Sequence, residues 1–178
     1  MAVTFTVEDG TGLPTANSYA SVAYADDYLV VKPDTSSWVA LSSAEKERYL
    51  MLATRTLDQR ATYRGQKAVE DSALRWPRVG ALDCDSIAQP YDEVPDPIKQ
   101  ATVELAFHFV RNGIDPSMPI STSGEITKIK ADVIEIEYSD GTQSSTVNFF
   151  PQGFNEALGC LGRVSTGRGS GFGRILRA

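Results

Sequence analysis

His108 is the only histidine of the chain, and Cys84 and Cys160 are its two cysteines. An imidazole works as a general base when a Ser or Cys nucleophile stands beside it, and no such motif accompanies His108, which falls between Phe107 and Phe109 at a helical position. Separations of 24 residues between Cys84 and His108 and of 52 between His108 and Cys160 do not have zinc-ligand spacing. In Asp83-Cys84-Asp85 a thiol lies between two carboxylates, whose charge disfavours the thiolate. The acidic pairs Glu8/Asp9 and Asp26/Asp27 lack the spaced oxygen ligands of a calcium loop and read as a turn and a solvated helix face. Gly167-x-Gly169-x-Gly171-x-Gly173 has the look of a dinucleotide fingerprint, but no strand precedes it, no helix follows it, and no acidic residue comes later. A Walker lysine is also missing. The expectation is a protein that is not an enzyme, with no catalytic residues, no metal ligands and no cofactor.

Binding chemistry is concentrated at the C-terminus. Residues 159–178 hold Gly159, Gly162, Gly167, Gly169, Gly171 and Gly173, the arginines Arg163, Arg168, Arg174 and Arg177, and no carboxylate. All 23 Asp+Glu lie before them with 13 Lys+Arg, so an acidic body of net −10 ends in a tail of +4. Gly-rich sequence loses more backbone entropy on ordering than so few apolar groups recover. Phe172, Ile175 and Leu176 are the anchors a docking peptide needs, and forked arginines suit carboxylates on a partner. Residues 159–178 are therefore expected to leave the domain as a Gly/Arg-rich docking tail, with Arg163, Arg168, Arg174, Arg177, Phe172, Ile175 and Leu176 as partner-binding residues.

With 178 residues, 42% apolar and 22% charged, the chain suits one globular domain with extensions. No stretch approaches a membrane span, and MAVTFTVEDG lacks the regions of a signal peptide, so no membrane partner is expected. The two distant cysteines read as reduced thiols of a cytoplasmic protein rather than a disulfide framework. Net charge −6 speaks against wholesale nucleic-acid binding by the body and leaves the tail free for it.

Periodicity supplies the scaffold. Val3-Thr4-Phe5-Thr6-Val7 alternates as a short strand, and Glu8-Asp9-Gly10-Thr11-Gly12-Leu13-Pro14 is turn sequence. Ser18 or Ser21 caps a first helix running to about Val31, which Pro33 terminates. Ser42-x-x-Glu45 is a capping box opening a helix to about Arg60. Asp96-Pro97 reads as an N-cap followed by proline at the first helical position, and Gly113 closes this third helix. Leu50, Leu57, Ile98, Leu105 and Phe109 fall on the buried stripes. The connection 62–95 is rich in Pro, Gly and Asp, and Trp76-Pro77 packs it onto the helices. After Gly113 the pattern turns to β: Glu125 to Lys130 and Asp132 to Tyr138 alternate, Ser139-Asp140-Gly141 is a turn, and Val147-Asn148-Phe149-Phe150 returns. The fold class is α+β, a bundle of three to four helices with a peripheral β-hairpin arm. Domain 1–158 has its helical core at about 18–113 and its arm at about 124–150; 159–178 is the tail.

The run Val7-Glu8-Asp9-Gly10-Thr11-Gly12-Leu13-Pro14-Thr15-Ala16-Asn17-Ser18-Tyr19, with Ser21-Val22-Ala23-Tyr24-Ala25-Asp26-Asp27-Tyr28-Leu29, closely resembles the opening of a tailed-phage head–tail connector (adaptor) family. Its members are often labelled DnaT-like single-stranded-DNA-binding protein. Trp76-Pro77-Arg78 and the helix from Ile98 to Ala106 extend the resemblance over about 3–110, and 124–138 matches loosely. The resemblance implies a structural virion protein at the neck, assembled in the host cytoplasm: a homo-oligomeric ring, commonly of twelve copies, between the portal protein and the tail or tail-terminator and stopper proteins. Genomic DNA would pass through its channel without sequence-specific binding, along a lumen made acidic by Asp26-Asp27 and Asp83-Cys84-Asp85. The alternative is the activity in the label, single-stranded-DNA binding, which needs a basic groove with stacking aromatics.

Overall fold

The computed structural model describes residues 3–115, 150–151 and 153–164. Almost all of the expected β arm, and every tail residue beyond Val164, lie outside this range. Within it the chain is α+β, with five helices and two small antiparallel sheets.

α1, Val22–Leu29, starts where the Ser21 hydroxyl accepts from the Tyr24 amide, and it buries Ala25 and Leu29. A short α2, Ser36–Val39, exists to seat one side chain: Trp38 is 1% exposed, and its indole N–H donates to Asp26 at 2.7 Å. The same carboxylate binds Lys46 at 2.8 Å, so Asp26 is a half-buried junction between α1, α2 and α3 rather than a solvated residue. α3, Ser43–Arg60, opens on the capping box, with the Ser42 side chain accepting from the Glu45 amide and the Glu45 carboxylate accepting from the Ser42 amide. Ser42→Ala removes half of this reciprocal pair and is expected to cost about 1 kcal/mol in urea denaturation. α4, Asp96–Asn112, caps on Pro95 with Pro97 inside the first turn, one residue earlier than the Asp96-Pro97 pattern implied, and Gly113 ends it in a left-handed conformation.

α3 and α4 pack together at the centre, and Leu50, Leu57, Ile98, Leu105 and Phe109 are each 0% exposed. α5, Phe154–Leu158, adds Phe154 and Leu158 to this core. The chain then returns as β4, Gly162–Val164, antiparallel to β1, Ala61–Tyr63, with Ala61 opposite Val164 and Thr62 opposite Arg163. β2, Gln66–Lys67, pairs with β3, Arg78–Val79. Residues 159–164 thus pack on the domain, with Leu161 and Val164 each 2% exposed.

Residues 3–7 form only an isolated bridge, Val7 with Ser18, where the Thr6 carbonyl accepts from the Asn17 and Ser18 amides and the Asn17 side chain bonds back to the Thr6 amide and the Thr4 carbonyl. Glu8, 3% exposed, accepts from the amides of Gly10, Gly12 and Leu13 at 3.0, 2.8 and 2.9 Å. Gly10 has φ +104°, and a Cβ there would overlap the carbonyl oxygen of Asp92. A ring of three amides around one carboxylate therefore shapes the opening loop, and the loop clamps the long connection. Cys84 and Cys160 form a disulfide with Cα atoms 5.0 Å apart, correcting the free-thiol reading. Their separation of 76 positions hid it: Cys84 lies in the long connection and Cys160 just after α5, parts of the chain that meet only in the fold.

Candidate nucleic-acid interface

The segment 55–78 carries six cations, Arg55, Arg60, Arg64, Lys67, Arg75 and Arg78, against three carboxylates, in a chain of net −6. Its geometry follows from β1. Strand alternation buries Ala61 and Tyr63 and exposes Thr62, while Arg60 and Arg64 flank the strand in exposed positions. Across the ribbon the exposed Arg163 sits opposite Thr62. Three arginines are gathered at one ribbon, and among the described residues neither the Arg64 nor the Arg163 guanidinium enters an ion pair or hydrogen bond.

Beneath the ribbon is a polar knot. Asp58 accepts from the hydroxyls of Tyr19 at 2.7 Å and Tyr63 at 3.3 Å and from the Arg75 amide at 3.0 Å. The Tyr19 oxygen in turn accepts from the amides of Arg75 and Trp76 at 3.0 and 3.2 Å. Burial raises the Asp58 carboxyl above its ordinary value, although the bonds from Tyr19 and the Arg75 amide oppose the rise. Burial, followed by the Asp58 charge, pushes both Tyr19 and Tyr63 well up, so both stay protonated donors. Arg78 locks the turn after β1: its Nε donates to the Arg64 carbonyl at 2.7 Å, Nη2 to Gly65 at 2.6 Å and Nη1 to Arg75 at 3.0 Å. Its guanidinium lies 5.8 Å from the Tyr63 ring centre. Gly65, φ +72°, leaves no room for a Cβ against the Val79 carbonyl. Tyr63 and Trp76 pack edge to face at 5.8 Å and are buried, so they support the ribbon and offer no open stacking face. Arg64 and Arg163 thus hold positive charge that no described side chain neutralises, which suits phosphate recognition.

Of the sequence-derived partner-binding residues, Arg163 lies on this ribbon. Arg168, Arg174, Arg177, Phe172, Ile175 and Leu176 fall outside the described residues. His108 is a half-buried residue of α4 whose Nδ1 lies 3.1 Å from the Asn112 amide nitrogen. Among the described residues there is no group of three or more His, Cys, Asp or Glu placed to hold a metal, and no helix is long and apolar enough to cross a membrane. Sequence reasoning misses the ribbon itself. Its signal is Arg60-Ala61-Thr62-Tyr63-Arg64-Gly65-Gln66-Lys67, three cations in a row of eight residues without a carboxylate.

Fold and ribbon together define an α+β protein with a compact cationic face on an acidic body. Over residues 3–178 the chain matches the family described as "Putative DnaT-like ssDNA binding protein", and it belongs to that family. No curated protein and no solved structure matches it. This match corrects the head-to-tail adaptor expectation: the family's description is of DNA binding, and nothing in it carries a virion neck, a portal-bound ring of twelve or a tail protein. The physical reason is that the opening motif behind the resemblance is structural. Glu8, Gly10 and Gly12 close a loop inside the protein and present no surface to a partner, so they transmit a fold and not an assembly role. The acidic lumen falls with the ring. Asp26 is engaged by Lys46 and Trp38, and Asp83 accepts from the amides of Asp85 and Ile87 in its own turn.

Proposed function

We propose that the protein binds single-stranded DNA through the β1–β4 ribbon, as a binding protein and not an enzyme. The observation that carries this reading is the convergence of Arg60, Arg64 and Arg163 on one exposed ribbon of an acidic chain, and the family description supports it. The sugar–phosphate backbone runs over the ribbon, where the guanidinium groups replace its counterions. Net charge does not oppose this, since recognition depends on local potential and the remaining acidic surface discourages adhesion elsewhere. Arg168, Arg174 and Arg177 follow β4 in sequence and add phosphate contacts in the same reading.

Fluorescence anisotropy of a labelled oligonucleotide across a salt series tests it. Affinity is expected to fall steeply with salt. Arg64→Ala with Arg163→Ala should weaken binding about tenfold and flatten the logarithmic salt slope by about 0.7 for each phosphate that is no longer neutralised. A native circular dichroism spectrum of the double variant confirms that the fold survives. Equal binding by wild type and the double variant would remove the ribbon from the interface.

A further inference from the structure

A groove of about 490 Å³ is lined by α3, by the segment 73–75 and by Ala16 and Asn17. Met51 and Leu74 give it an apolar lining, Arg55, Gln59 and Arg75 a polar one, and Asp58 also contributes. We infer that this groove receives one unstacked base of a bound single strand, a reading that rests on single-stranded DNA as the ligand of the ribbon.

Three features converge on a base as the occupant. The groove pairs a small apolar surface with a few polar groups, the composition of sites that hold flat, heteroatom-rich ligands. The Arg75 guanidinium is held, because its Nη1 donates to the Ala61 carbonyl at 2.9 Å while its backbone amide is fixed by Asp58 and Tyr19. A guanidinium plane fixed in this way is a stacking surface for a base, and single-stranded nucleic acid is commonly held on such planes. The same bond also gives continuity: it ends on Ala61, the first residue of β1, so groove and ribbon share a wall. Arg75 thereby joins the groove to β1, which pairs with the strand that carries Arg163. Arg55 is exposed on α3, one turn before Gln59, and completes a cationic rim complementary to the phosphate on either side of that base.

The experiment titrates the full-length protein with an oligonucleotide and with an all-abasic strand of the same length. The base-bearing strand is expected to bind about tenfold more tightly. Ala73→Phe, which fills the groove from an exposed position, should erase that difference and leave the salt slope unchanged. Arg75→Ala, which removes the stacking guanidinium and keeps the backbone amide bonded to Asp58 and Tyr19, is the second variant and should narrow the difference, so the outcome does not hang on Ala73→Phe folding. Equal, salt-dependent binding of both strands by wild type would overturn the base site alone and leave the ribbon reading intact. Retention of the full difference in both variants would also overturn it. Failure of wild type to bind either strand would instead sink the single-stranded-DNA reading beneath it.

Discussion

Glu8→Ala is expected to cost on the order of 4 kcal/mol of stability, read as a large fall in the urea midpoint at unchanged slope. The carboxylate accepts three amide bonds, from Gly10, Gly12 and Leu13, and it is 3% exposed. Hydrogen bonds to a charged acceptor are worth roughly 1.5–3 kcal/mol each, and removing the acceptor leaves amides of the buried Gly10 and Gly12 without a partner. The loss spreads, because the Leu13 carbonyl accepts from the Ala73 amide at 3.1 Å and Gly10 lies against Asp92. Glu8→Gln keeps one carbonyl acceptor and should fall between wild type and alanine. A loss under about 1 kcal/mol for the alanine variant would show that the loop holds its shape without the carboxylate.

The second large effect belongs to Asp58. Asp58→Ala strips the acceptor from two tyrosine hydroxyls and one amide and is expected to cost about 3 kcal/mol. Its pH signature has a defined sign. Burial raises the folded carboxyl above the unfolded value of about 3.9, so between those two values the native state binds more protons than the unfolded chain. The Asp58 contribution to stability is therefore fully present below about 3.9, is lost as pH rises through the raised folded value, and stays flat beyond it. Asp58→Asn should flatten the stability profile over that interval in denaturation series at stepped pH. An unchanged profile would mean that the carboxylate titrates as it does in the unfolded chain. The alanine variant should also weaken DNA binding indirectly, since Arg75 and Tyr63 lose the group that seats them under the ribbon.

The helical core is legible in the sequence because its information is local. A capping box, a helix-closing glycine and apolar residues at helical spacing each act within a few turns, and α3, α4 and their buried stripes follow from them. The short elements are not legible in this way. β1 and β4 have three residues each, too few for any period, and they are strands only because two distant parts of the chain, Ala61–Tyr63 and Gly162–Val164, meet. The ribbon is hidden for that reason, as is the disulfide. Glu8 is missed differently: the sequence marks it only as part of a turn, and only the folded loop shows its oxygens turned inward. Of the C-terminal residues singled out by charge and apolar character, Arg163 is the one among the described residues, exposed on the strand opposite Thr62.

The Cys84–Cys160 bond has a topological consequence. With its ends 76 positions apart, it turns the middle of the chain into a covalent ring that contains all of α4 and α5. A single backbone cut anywhere in that ring opens a circle and does not divide the molecule: the two pieces remain one covalent species until the disulfide is reduced. Segments inserted into the ring are likewise anchored at both ends. The 116–149 stretch can therefore vary in length and sequence without setting the C-terminal strand loose from β1.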